Sequence, residues 1–435
     1  MKRLFTAVCL LGTVALTACG GGKEDGQPEK QAKQVKEAPE PFTMTIYAAG
    51  VKPEEFDSRF RKALESKFPH VTFKFRTSGK GSSIQELVAQ GDIPDLIRTD
   101  IPSLKTSYID LGLAYDLREQ LNVHNYSTSR FNPVFVQEIV DVVKTGELYG
   151  LPVPPYFPQV LYYNKDLFDK FGQPYLKDGM RWDEVYELAK KLTRVDGDRI
   201  YRGFSAGTIA LLRDNPYSQP ILDPKTDRLA NPDVWKTLFE NLKRFYDIPN
   251  NTIAKTAVEE GAVFGQGRVA MQVNQYSIYV NLPPELNWDI VSAPAMDGAP
   301  KLMPQRGPAY WSITKQSKYK SEAFQAIMTM LSEEVQMQDS RGGIPTTLAS
   351  KEIAANLGKD HPVYSKKNTG AVNYYAPIPP TAKREAGLAD VPLGTQQNLV
   401  ANTFQKVATG EMDINTALND ISEKLRKEVE KEKSK

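Results

Sequence analysis

Apolar and polar residues alternate where the chain first looks foldable: Phe42, Met44 and Ile46 share one face of a predicted strand. Steps of four follow at Phe56, Phe60, Leu64 and Phe68, the spacing of one helix face, and Pro69 ends that helix. Alternation resumes at Val71, Phe73 and Phe75. Ser82 or Ser83 can then cap a helix carrying Ile84, Leu87 and Val88, and Pro94-Asp95-Leu96-Ile97 reads as a third, buried strand. Strand and helix taking turns in this way predict a doubly wound α/β domain. Ligands of such sheets bind beyond the carboxyl ends of the strands, so the turns at 48–50, 76–81 and 98–100 should face any site.

A second run of the same kind starts near Leu161. It predicts a helix from Trp182 to Thr193, a turn between two short strands at 222–229, and a helix opened by Asn231 as cap and Pro232 as its first residue. That helix carries Trp235, Leu238, Phe239, Leu242 and Phe245. Near the end, Ile414, Leu418, Ile421, Leu425 and Val429 make one stripe opposite a face of Lys and Glu. With ~400 residues in the folded part, two α/β domains are expected in place of one core.

The amino terminus follows a different pattern. Lys2 and Arg3 precede an apolar stretch from Leu4 to Leu16, which has the form of a secretory signal and is too short to span a bilayer. Leu16-Thr17-Ala18-Cys19 resembles the lipobox of bacterial lipoproteins. The resemblance implies that residues 1–18 are removed and that the Cys19 thiol carries acyl chains tethering the protein to the outer face of the cell membrane. An ordinary signal beside an incidental Cys is the alternative. Residues 19–41 are rich in Gly, Pro, Lys, Glu and Gln, which suits a flexible spacer. Cys9 and Cys19 are the two cysteines, so the processed chain offers no disulfide, no thiolate nucleophile and no Cys-bound metal. Losing Lys2 and Arg3 but no acid takes the formal charge from +2 to 0, which gives no basic face for nucleic acid.

Longer motifs are more specific. Leu148-Tyr149-Gly150-Leu151-Pro152 is followed by Leu161-Tyr162-Tyr163-Asn164-Lys165-Asp166-Leu167-Phe168 and Gly172. Then come Trp182-Asp183-Glu184, the run from Phe264 to Met271, Trp288-Asp289 with Ala293-Pro294, Gly307 to Ile313, and Gly342-Gly343-Ile344-Pro345. In this order they resemble the extracellular solute-binding proteins of ABC importers, in the sugar-binding group related to maltose-binding protein. The resemblance implies two doubly wound α/β lobes of the type II periplasmic-binding kind, closing on ligand about a hinge. One lobe is expected at 42–155 and 306–372, the other at 156–305 and 373–435. It also implies a monomer that binds a carbohydrate, delivers it to membrane permease subunits, and needs no cofactor.

A hydroxyl-rich solute calls for aromatic faces and neutral or carboxylate groups. The resemblance puts these at Tyr156 and Phe157 after the first crossing, at Asn274 and Tyr276, at Tyr310 and Trp311, and at Asp100 after the third strand. Trp311 lies in an apolar run that suits a core equally, and Asp100 can instead cap the turn before Pro102. A ferric-ion or polyamine binder remains open, since Tyr162-Tyr163 and Tyr374-Tyr375 could serve a hard metal. An enzyme is the less favoured alternative: His70, His124 and His361 are isolated, and no G-x-S-x-G elbow or H-E-x-x-H pair occurs.

Overall fold

The computed structural model describes residues 40–434 apart from Lys144 and Ala386, so the signal, Cys19 and nearly all of the tether lie outside the described residues. Its strands are β1 (Phe42–Ala48), β2 (Val71–Arg76), β3 (Leu96–Asp100), β4 (Leu151–Val153), β5 (Phe157–Asn164), β6 (Arg194–Asp196), β7 (Arg199–Ala206), β8 (Val269–Gln275), β9 (Trp288–Ser292), β10 (Gln305–Arg306) and β11 (Ala309–Ile313). They make two sheets, ordered β2-β1-β3-β11-β4 and β10-β5-β8-β7-β6, with β9 paired to β5. The alternating amino-terminal pattern becomes the parallel set β2-β1-β3, to which β11 adds antiparallel.

Local sequence explains most elements. The segment from Pro53 to Lys67 is helical throughout, with a π turn at Asp57–Arg61, and Phe56, Phe60, Leu64 and Phe68 are all buried on one side of it. Of the two candidate serines, Ser83 caps helix Ile84–Ala89, in a box with Glu86. Helix Ile414–Lys433 buries Leu418, Ile421, Leu425 and Val429, as its stripe requires.

Three local expectations differ from what forms, the first being the turn expected at 98–100, where β3 continues to Asp100. Asn231 precedes helix Pro232–Tyr246 but sits at φ 40°, a left-handed turn in which its side chain makes no capping bond. The segment 222–229 holds a single bridge between Leu222 and Leu229 where two short strands were predicted. Arg384 reaches in from far along the chain and donates to the Asp223 carbonyl at 2.8 Å and the Thr226 carbonyl at 2.7 Å, replacing strand partners with side-chain donors.

Each sheet has its own core. Ile46, Leu96, Trp311 and Phe324 belong to the first, and Trp235, Phe239, Phe245 and Phe404 to the second. A further cluster joins Tyr162, Tyr276 and Trp288 to Leu357, Tyr364 and Val372, so residues near 357–372 pack against β5 and β8. The chain leaves the first sheet after β4, crosses at 154–156, and enters the second as β5. It returns through Gly307 and Pro308, between β10 and β11.

Candidate functional site

Because both crossings are short, they hold the carboxyl end of β3 beside the start of β5 and the end of β10. Asp100 closes β3 and caps the next turn, accepting from the Ser103 backbone N–H at 3.2 Å and from the Ser103 hydroxyl. Its other oxygen pairs with the guanidinium of Arg306. Arg306 lies opposite Phe157 in the β5–β10 pairing, with its guanidinium carbon 5.7 Å from the Phe157 ring centre. Asp100 and Phe157, from different sheets, thus meet through one arginine. The Asp100 and Arg306 side chains are 32% and 35% exposed, so solvent screens the pair and its role is to position groups more than to stabilise the fold. Sequence reading passed over Arg306, although a lone cation just before the Gly307 crossing was a visible signal.

The remaining candidates are buried. The Tyr156 ring lies 4.9 Å from that of Phe135, in a small cluster with Met303, and its hydroxyl reaches Asn373 Oδ1 at 3.5 Å. Burial raises its pKa. Asn274 donates to the Gly261 carbonyl at 3.2 Å, and its Oδ1 accepts from the Gln275 N–H at 2.8 Å. Tyr276 stacks on Tyr364 with centres 4.7 Å apart, and its carbonyl accepts from the Tyr162 hydroxyl at 2.6 Å. Trp311 packs edge-on against Phe60. Of the paired tyrosines, Tyr162 and Tyr163 are buried, while Tyr374 is half exposed.

Tyr310 leads to a group that the sequence did not single out. Its hydroxyl donates toward the Phe135 carbonyl at 2.8 Å and lies 3.1 Å from Glu138 Oε2. Glu138 is 7% exposed on helix Pro133–Val143. It presses against the return crossing so closely that a Cβ on Gly307 would fall 1.8 Å from Oε2, which accounts for a glycine there. Burial pushes the Glu138 pKa up, Lys383 and the Tyr310 hydroxyl oppose this, Asp214 adds to it, and Arg306 opposes it.

A raised native pKa means that the folded chain holds a proton which the unfolded chain has already released. Stability should therefore fall as pH climbs from the ordinary glutamate range through the raised Glu138 value. Thermal melting followed from acidic to neutral pH should show this decline, and Glu138→Gln should flatten it. An unchanged slope in that variant would remove Glu138 as its cause.

A cavity of about 500 Å³ is lined by Val140, Asp141, Gly146, Ala382 and Lys383. The 382–383 side is fixed to second-sheet elements, because the Ser218 hydroxyl donates to the Pro379 carbonyl at 2.6 Å and Arg384 grips the 223–226 loop. Its size suits a small ligand, and a carboxylate and an ammonium stand on its walls. Among the described residues, no group of three or more His, Cys, Asp or Glu could hold a metal ion.

Comparison with known proteins agrees with this architecture. Residues 49–337 match the family model of the bacterial extracellular solute-binding proteins. A curated relative, a putative binding protein of Brucella abortus, is 27% identical over 157 residues, which is 36% of this chain and 36% of the relative. The match thus spans about a third of that relative's length. Among solved structures, an ABC substrate-binding protein from Listeria monocytogenes in complex with cycloalternan aligns with a TM-score of 0.67 at 19% identity, covering 89% of this chain and 99% of its own. A cyclic alpha-maltosyl-1,6-maltose binding protein from Arthrobacter globiformis aligns with a TM-score of 0.68 at 13% identity, covering 90% and 100%. Both share the type II periplasmic-binding fold.

Proposed function

The chain belongs to the bacterial extracellular solute-binding proteins, and from that premise we propose that it captures a carbohydrate, an oligosaccharide, between its two sheets and hands it to an ABC import permease. The observation that carries this reading is the meeting of Asp100 and Phe157 through Arg306 where the chain crosses between sheets. A carboxylate suited to sugar hydroxyls and an aromatic face suited to sugar C–H groups stand there together. One structural neighbour is in complex with cycloalternan and another is named for cyclic alpha-maltosyl-1,6-maltose, which supports the same ligand class.

The mechanism is capture. Solute binds to groups on one sheet in the open form, then bridges to the other and stabilises closure about 154–156 and 307–308. The energy for transport comes from the permease's ATPases, so this chain needs no cofactor. Acyl chains on Cys19 would hold a monomeric body at the outer membrane face, with residues 20–41 as tether.

A thermal-shift screen of the purified chain against mono- and oligosaccharides, polyamines and ferric ion tests the reading. One glycan class should raise the melting temperature, with about 2.7 kcal/mol of stabilisation at a hundredfold excess over its dissociation constant. Phe157→Ala should then weaken that glycan about tenfold by removing a half-buried aromatic face. Shifts confined to iron or polyamines, or release of products from a glycan, would overturn the proposal.

A further inference from the structure

Arg98 lies on the inner strand β3, between Ile97 and Thr99, and its side chain makes no hydrogen bond or ion pair among the described residues. Four charged groups are close enough to act on it: Arg59, Glu55, Asp100 and Arg306. They come from elements of both sheets, which places Arg98 at the junction. Each acid is already engaged elsewhere. Glu55 is 3.2 Å from Arg59, whose main partner is Asp339, and Asp100 pairs with Arg306. Three arginines face three acids here, yet the pairing leaves Arg98 with none. Burial and the Arg59 charge push the Arg98 pKa down to about 10, so it stays cationic at neutral pH.

The residue across the strand pair repeats the theme. Trp311 on β11 is registered with Arg98 and projects from the same face of the sheet, and its Nε1 is sealed from solvent without an acceptor. The side chain of Arg98 is only partly buried, and its nitrogens are not among the atoms sealed from solvent. An unpaired, partly buried guanidinium is costly unless an anion meets it, and its planar fork matches carboxylate, sulfate and phosphate oxygens.

We infer that Arg98 is the anion-recognition residue of the cleft, and that the captured carbohydrate is acidic, bearing an anionic group that pairs with this guanidinium. The inference rests on the carbohydrate-capture reading above and names the ligand's class.

Titration calorimetry on the purified full chain tests it with trigalacturonate, its fully methyl-esterified form, a sulfated trisaccharide, a sugar phosphate and neutral trisaccharides. At least one charged glycan should bind, and its neutralised counterpart should bind about 30-fold more weakly or worse. The arm that responds distinguishes carboxylate, sulfate and phosphate. Arg98→Gln should lose the same factor for the charged glycan and so close the gap to the neutral one, while Arg98→Lys should recover part of it. Circular dichroism melts check that the variants fold, and the comparison of charged with neutral ligand on the unaltered chain stands if they do not. Equal affinity for neutral and charged glycans would overturn the role of Arg98 but leave carbohydrate capture intact. Binding of no glycan at all would overturn both.

Discussion

Replacing Asp339 with Ala should destabilise the protein by about 3–5 kcal/mol, the range for stranding one member of a buried ion pair. Asp339 sits on helix Glu333–Arg341 with its side chain 3% exposed, and it grips Arg59 with both oxygens, from Nε at 2.9 Å and from a terminal nitrogen at 2.8 Å. The same terminal nitrogen donates to the Pro154 carbonyl at 2.9 Å, on the crossing between sheets. Burial alone would lower the Arg59 pKa, and the Asp339 and Glu55 carboxylates together outweigh it, leaving the value raised. Without Asp339 the cation would keep Glu55 as its only carboxylate partner, and that side chain is 45% exposed.

Urea unfolding of Asp339→Ala, Arg59→Met and the double variant measures the coupling. The double variant should recover much of the loss, because replacing both charges by apolar groups removes the uncompensated one. A single Asp339→Ala within about 1 kcal/mol of the parent would contradict this account.

Gly203→Ala should cost about 3 kcal/mol or more, the upper range for overpacking. Gly203 lies in β7 where helix Trp182–Leu192 packs on it, and an added Cβ would come within 2.1 Å of the Ala189 carbonyl oxygen and 2.7 Å of two further backbone atoms of that residue. No side chain can swing aside to make room, so the helix must shift as a body. That shift would also strain the Gly203 N–H bond to the Thr193 hydroxyl, 3.0 Å long, and disturb Trp182 and Phe204, which meet edge-on at 6.0 Å. A drop in the urea midpoint at unchanged slope would report it. A variant as stable as the parent would mean that the strand and helix separate more easily than this contact implies.

The alternation at 42–46 and 71–75 and the four-residue steps from Phe56 to Phe68 gave strands and helix in place, because apolar periodicity is a local property that each element carries alone. The ordered motifs from Leu148 to Pro345 resembled the family to which the chain belongs, since those turns and strand edges recur in sequence order. Side-chain roles were less legible. Tyr310 and Glu138 are 172 residues apart, Arg306 and Asp100 are 206 apart, and the Tyr364 hydroxyl reaches the Tyr276 carbonyl across 88 residues. Nothing near each residue says which partner will fill its surroundings.

Arg98 was partly visible, in a turn at 98–100 expected to face any site, although it lies within β3. What the sequence could not tell is that every acid near it serves another arginine. By itself, then, the sequence determined the elements, their order and the family, all written in local spacing. Only the tertiary structure decided which aromatics are sealed in cores, which charges are satisfied, and which cation is left for a ligand. Pairing and burial are set by distance in space, and chain separation does not encode that.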